Sequence, residues 1–217
     1  MISFVRYLSG LDSGLVLAPE RYDPRRNLSA PGIALAELVV STRGMIEPAK
    51  VDPTGKYLVL DTGDADRGFL LPHNGIVDGN VVGSAKKKVV EGAVLISRLR
   101  PYLRQITFAH HSFFDHEATV LCSSEFFVLV SRTSESLAFL VPWLLSDEVQ
   151  LALAAGQEGG HHPRVREEML LGLKVPPHIL EVRNQVSNVV EDAVGAILSS
   201  RKIIDSALSS VPPFSAD

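Results

Sequence analysis

Cysteine is nearly missing from this chain of 217 residues, with Cys122 its single representative. One thiol rules out an internal disulfide and fits a reducing compartment. Long apolar runs are missing too, since none approaches the roughly 20 residues that a membrane-spanning helix needs. The opening MISFVRYLSG lacks the basic-then-apolar order of a secretory signal. A cytoplasmic protein without a membrane partner is the expectation. The common catalytic motifs are also absent: there is no GxSxG elbow, no GxxxxGKS/T phosphate loop and no GxGxxG after a strand. Machinery for hydrolysis, phosphoryl transfer or hydride transfer is therefore not visible. Positive charge is not in excess either. The formal net charge of -4 excludes a bulk polycation, so any contact with a polyanion must come from a localised patch.

What is present is a globular composition, 46% hydrophobic and 21% charged, long enough for one large domain or one domain with an appendage. Residues 1–30 are weakly patterned, with Arg21, Arg25 and Arg26 around Pro24 reading as an extended basic leader. IALAELVV at 33–40 predicts a short helix or helical turn leading into a strand, and residues 44–56 carry loop chemistry. KYLVLD at 56–61 is a β-branched and aromatic run that predicts a strand. Further short strands are expected at 81–82, 89–90, 94–96, 119–122 and 126–130. They are separated by Gly, Ser or charged turns with no helical pattern between them, which implies an antiparallel or mixed sheet. Ser134 is placed to cap the helix that follows, and Pro142 is expected to break its first turns. Ser146 with Asp147 and Glu148 forms a second helix start, and Gly156 a stop. Gly159, Gly160 and Pro163 predict a loop, and 165–171 a short helix.

Pro176 and Pro177 make a hard stop and the best domain boundary, dividing residues 1–176 from 177–217. Beyond it, 179–210 is expected to be helical throughout, roughly 45 Å long. Val182, Val186, Val189, Ala193, Ile197, Ile204 and Leu208 recur along it at three- and four-residue steps. Such a stripe must be buried against the globular part or against another chain. Its separation by the proline stop favours another chain. The expected fold is thus α/β (α+β): a mixed, mainly antiparallel sheet domain with short helices, followed by one long C-terminal helix.

The main local anomaly is basic. Between positions 86 and 104 lie six cations, Lys86, Lys87, Lys88, Arg98, Arg100 and Arg104, against the single acid Glu91. They surround the predicted 94–96 strand, which Pro101 should end or turn to an edge. If 97–100 stay extended, Arg98 and Arg100 project from one face. Arg164 and Arg166, beside His161 and His162 in a Gly-rich loop, form a second basic group. Arg and Lys neutralise phosphates, and Arg can also bond guanine edges with two hydrogen bonds. Arg98 could instead pair with Glu125 or Asp115, and Arg164 could cap the following helix. Two other clusters invite a catalytic reading. His110, His111, Asp115 and His116 are ligand-type residues at close spacing, the basis of an alternative as a metal-dependent hydrolase or nuclease. Their order matches no metallohydrolase spacing, and a polar loop between strands is the plainer reading; no metal site is expected. Asp61, Asp64 and Asp66 could form a nuclease cluster, but a solvated turn accounts for them more simply.

The ordered set of segments resembles the DNA specificity (S) subunits of type I restriction–modification systems. The pieces that carry the resemblance are LAELVVSTRG at 35–44, KYLVLDTGDADRGFL at 56–70, GAVLISRLRPYLRQI at 92–106 and LCSSEFFVLVS at 121–131. FLVPWLLSDEVQ at 139–150, GGHHPRVREEMLLGLKVPP at 159–177 and the long helix after it complete the set. The resemblance implies that residues 1–176 are a target recognition domain reading one half of a bipartite site on double-stranded DNA. It implies that the helix after Pro177 is a spacer that packs on a second such helix and docks the methyltransferase (modification) subunit. A restriction subunit is a further possible partner. The chain itself would be non-catalytic and carry no cofactor, with S-adenosylmethionine, ATP and Mg bound by partner subunits. Such subunits usually hold two recognition domains and two spacers in tandem. This chain has one of each, so it is expected to form a homodimer through a coiled coil of Val182, Val186, Val189, Ala193, Ile197, Ile204 and Leu208. The resemblance does not assign the DNA contacts, so Lys86, Lys87, Lys88, Arg98, Arg100, Arg104, Arg164 and Arg166 stand on charge and placement.

Overall fold

The computed structural model describes residues 31–114, 117–158 and 164–211, together with residues 5, 7 and 9. In chain order, the first elements are β1 (Ile33–Ala34), α1 (Leu35–Leu38), β2 (Val39–Thr42), β3 (Met45–Ile46) and β4 (Lys56–Leu60). Short strands follow as β5 (Ala65–Asp66), β6 (Phe69–Leu70), β7 (Val77–Asp78) and β8 (Lys86–Lys88). Then come β9 (Val94–Ser97), β10 (Ile106–Phe108), β11 (Thr119–Ser123) and β12 (Phe126–Ser131). The last part holds α2 (Leu140–Leu145), α3 (Asp147–Ala155), β13 (Gln157–Glu158), β14 (Arg164–Val165) and α4 (Glu167–Leu171). β15 (Lys174–Val175), α5 (Pro177–Glu181) and α6 (Arg183–Ser209) complete the described chain. None of the described helices is long and apolar enough to cross a membrane.

Two sheets carry the fold. One is antiparallel throughout, in the order β10-β9-β12-β2; the other runs β3-β8-β11-β4-β7 and is mixed, because β11 and β4 are parallel. Successive residues of a strand face opposite ways, and here both directions are apolar. Val94, Ile96, Phe127 and Leu129 point into a core shared with α2, α3 and α4. Their neighbours Leu95, Phe126 and Val128 point the other way, into a second core with Leu58, Leu60, Val120 and Cys122 of the mixed sheet. The outer face of the mixed sheet closes over Val51, Val82 and Leu121. Helices, sheet, sheet and a thin outer cap are thus stacked in order. The all-antiparallel sheet is buried on both faces, which is why β9 and most of β12 are continuous apolar runs. The expected class, a mixed and mainly antiparallel sheet with short helices and one long C-terminal helix, is the one observed.

Several local expectations are corrected. Residues 81–82 and 89–90 are not strands: Val81 ends a 3-10 turn, and the ladder between them is β8, the three lysines. Pairing of β8 with β3 on one side and β11 on the other overrides the low strand propensity of Lys. Ser134 caps no helix. The next one starts at Leu140, and Ser136 instead donates its hydroxyl to Glu191 and accepts from the Ala138 N–H. Pro142 does not break α2, because it sits in the first turn, where backbone donors have no intrahelical acceptor. Val165 belongs to β14, so the short helix begins at Glu167. Ser146 does cap α3, its Oγ accepting from the Val149 N–H, and Gly156 ends it.

The terminal helix is interrupted once, at Val182 between α5 and α6, and Pro177 is the first residue of α5. It is not separate from the globular part. Val186 and Val190 pack on the helix-side core, and Val194 and Leu198 on the core between the sheets. Ser187 Oγ accepts from the Phe139 N–H at 3.2 Å, Arg201 donates to the Pro72 carbonyl at 3.0 Å, and Arg183 pairs with Glu135. Gly195 passes close to the His110 ring: a Cβ there would lie 3.4 Å from Cε1 and Nε2. Of the two expected ways to bury this helix, its own domain takes one face.

Candidate nucleic-acid interface

β9 ends at Ser97, and the chain then runs between two neighbours. The Arg98 N–H donates to the Glu125 carbonyl, the Val165 N–H donates to the Arg98 carbonyl, and Leu99 forms an isolated bridge with Arg164. This bridging brings the two basic groups of the sequence together. Arg164 grips Glu125 with two hydrogen bonds, 2.7 Å to Oε1 and 3.1 Å to Oε2. Arg98 Nε stands 3.6 Å from Glu125 Oε2, an ion pair beyond hydrogen-bonding distance. Lys87 reaches the same place from β8, donating to the Phe126 carbonyl at 2.7 Å. Lys87 and Arg98 both lie over the Phe127 ring, at 6.0 Å and 5.7 Å from its centroid. The hydrogen bonds from Arg164 lead the effects that hold the Glu125 carboxyl below the usual carboxylate range, against partial burial. Burial depresses the Lys87 ammonium. Lys87, Arg98 and Arg164 surround Glu125, and the nearby Glu167 is paired with Arg43, so cations outnumber carboxylates at this end of the sheets.

The other basic candidates are spread out. Arg104 turns toward the α2–α3 junction, donating to the Leu145 carbonyl at 3.0 Å and pairing with Asp147. Lys86 and Lys88 face away from Lys87, as alternation along β8 requires; Lys86 donates to Ser84 Oγ at 2.6 Å, and Lys88 is exposed. Arg166 is exposed at the start of α4. The expectation of an extended 97–100 segment is corrected. Arg100 is left-handed (φ 44°, ψ 66°), so it does not share a strand face with Arg98. It is exposed and stands at one end of a 3-10 turn over Pro101–Leu103. Of the two acids the sequence offered Arg98, Glu125 and Asp115, Glu125 is the one it approaches among the described residues; that Glu125 also holds Arg164 was not legible.

Among the described residues, the catalytic alternatives find no converging geometry. His110 is buried, and its Nδ1 accepts from the Ser112 N–H, capping a 3-10 turn over His111–Phe113. Asp115 and His116 lie outside the described residues, as do His161, His162, Gly159, Gly160, Pro163, Arg21, Pro24, Arg25 and Arg26. Among the described residues no three metal-ligating side chains come together. Asp64, nearly fully buried, accepts from the backbone N–H groups of Asp61 and His73 and pairs with the His73 ring at 2.6 Å. Asp61 caps the turn that precedes it. These two acids hold a loop together. Burial pushes the Cys122 thiol up to about 12, so it stays protonated.

Of the helix positions expected to meet a partner, Val186 and Ile197 are half-buried, whereas Val182, Val189, Ala193, Ile204 and Leu208 are exposed. Ile203 and Val211 add to the exposed apolar surface. At 3.6 residues per turn, this stripe lies roughly a quarter turn from the face formed by Ser187, Val190, Val194 and Leu198. The helix therefore carries two faces, one satisfied by its own domain and one not.

No known family profile and no curated protein matches the chain. Solved structures do. One is a chain from the study of complex assembly and conformational transition of the type I R-M system, at a TM-score of 0.56 and 21% identity. It is matched over 86% of this chain and 51% of its own length. Another is the HsdS subunit from Thermoanaerobacter tengcongensis, at a TM-score of 0.55 and 21% identity, over 86% of this chain and 50% of its own. The chain thus has the fold of these proteins and spans about half their length.

Proposed function

We propose that this chain is a non-catalytic DNA-recognition subunit of a type I restriction–modification assembly, reading one half of a bipartite site. The observation that carries the reading is the fold shared with HsdS over 86% of the chain at half the length of that subunit. The exposed stripe of α6 is where a second copy would join. An isologous pair imposes two-fold symmetry, so the site read would be a split palindrome. The excess of cations around Glu125, with Lys86 and Lys88 on the other face of β8, supplies the local positive charge that the net charge of -4 does not. A methyltransferase subunit would supply S-adenosylmethionine chemistry, and a restriction subunit ATP-driven cleavage. Co-expression with a type I modification subunit, followed by mapping of methylated bases, tests this directly. The expected result is methylation at one bipartite, palindromic sequence that disappears without this chain; methylation independent of the chain would overturn it.

A further inference from the structure

Among the described residues, only three that are not glycine have positive φ, and all three are arginines: Arg67 at 44°, Arg100 at 44° and Arg104 at 53°. A left-handed backbone is unfavourable for any residue with a Cβ, and glycine would adopt it freely. All three sit in one place. The Arg67 N–H donates to the Arg104 carbonyl, and the Arg104 N–H to that of Pro101. Gly68 follows at φ 102° and donates to Ile106; a Cβ at Gly68 would meet Val141 Cγ1 at 3.3 Å. The 66–68 turn and the 100–104 loop are thus bonded into one unit.

The strain at Arg104 is offset by its bonds to Leu145 and Asp147. Nothing comparable offsets it at Arg100, whose side chain makes no hydrogen bond or ion pair among the described residues and is exposed. Arg67 has only a 4.0 Å approach to the exposed Asp66, and its side chain is 75% exposed. Between the arginines, Tyr102 is 69% exposed and Leu103 41%. Strain held at exposed arginines, around an exposed aromatic ring, marks a surface made for a ligand rather than for folding.

We propose that Arg100, Arg67 and Tyr102 form the edge that reads bases in a duplex groove, while the Lys87, Arg98 and Arg164 cluster is a support held by Glu125. This rests on the DNA-reading function proposed above. Phosphate neutralisation needs only a charge within reach, which a flexible side chain supplies from any surface. Two hydrogen bonds to a guanine edge need a guanidinium at a fixed angle. Arg100 has that. Pro101 disfavours the right-handed helical region for the residue before it, and the Leu103 N–H, donating to the Arg100 carbonyl at 2.9 Å, holds the left-handed geometry of the 3-10 turn. Tyr102 offers a ring to stack on or wedge between bases.

The test is selection of the full chain against duplexes with a randomised core, on wild type, Arg100→Gly, Arg100→Lys and Tyr102→Ala. Wild type enriches one motif. Arg100→Gly relieves the strain and melts no lower than wild type, yet loses about 5- to 150-fold in preference at the positions it reads. Arg100→Lys keeps the charge but not the fork, so it keeps affinity for random duplex within about threefold and loses the same preference. Tyr102→Ala weakens the motif at the neighbouring step. An unchanged motif in all three variants overturns the assignment, and so does a uniform loss of affinity with the motif intact, which would make the tip a phosphate contact. If Arg100→Gly shows no folded transition, Arg100→Lys and Tyr102→Ala decide in its place. A wild-type chain that enriches nothing overturns the DNA-reading function itself, and this assignment with it.

Discussion

Glu125 carries no motif, yet it is the residue on which the basic cluster turns. Its carboxyl sits below its ordinary value of 4.5, chiefly because Arg164 donates to both oxygens. A carboxyl depressed in the folded state contributes stability that is fully present above its unfolded value and is lost as pH falls through the folded one. Glu125→Gln should therefore destabilise the protein by about 1–2 kcal/mol at neutral pH, less than a fully buried pair because the guanidinium groups are partly solvated. Thermal unfolding should show the two proteins converging as pH drops below about 4. A gap that stays constant down to pH 3 would mean that the charge of Glu125 is not what holds the arginines. At this scale the sequence showed which residues were cationic and that Arg98 could meet Glu125. It could not show that Arg104 turns inward or that Arg67 stands beside it, because 37 residues separate those two positions and only the fold brings them together.

At the scale of elements, local signals were legible where the physics is local. Ser146 caps α3 as its position before Asp147 and Glu148 implied, and Gly156 closes it. Ser146→Ala should cost about 1 kcal/mol, measurable as a fall in denaturant midpoint with an unchanged slope. A changed slope would indicate that the loss is not confined to the helix end. Signals failed where pairing decided. β8 is three lysines, and it is a strand because β3 and β11 flank it, with Lys87 opposite Cys122 and the Lys87 ammonium reaching Phe126. The valines at 89–90 have the better strand propensity and lie just past the ladder. The runs of β9 and β12 were legible as strands but not as two-faced ones. Their continuous apolar character reflects a sheet covered by helices on one side and by a second sheet on the other.

For the whole molecule the question is what the long helix does. Its period announces one apolar stripe, but the folded chain uses a neighbouring face for itself and leaves Ile204 and Leu208 60% and 66% exposed. If two copies join there, the double substitution Ile204→Glu with Leu208→Glu should give a monomer by light scattering. It should leave the melting temperature of dilute protein nearly unchanged, since neither residue packs on the domain. Val194→Asp, on the other face, should unfold the docking of α6 and lower the melting temperature strongly. A wild-type chain that is monomeric at micromolar concentration would overturn the homodimer.

Read alone, the amino-acid order determined the class of fold, the sites of the main strands and helices, the caps at Ser146 and Gly156, and the basic character of the stretch from 86 to 104. Each of these rests on periodicity, on local composition or on contacts a few residues apart. Only the tertiary structure decided which cations are held within the molecule and which are presented. Lys87 and Arg164 are tied to the carbonyl of Phe126 and the carboxylate of Glu125, 39 residues away in each case. Arg100 is left with an exposed guanidinium on a left-handed backbone. The basic stretch from 86 to 104 is thus two things. One part is a scaffold whose cations are held from within. The other is a strained tip, joined by Arg67 from a distant turn, because charge is written in the sequence while the partner of each charge is set by the fold.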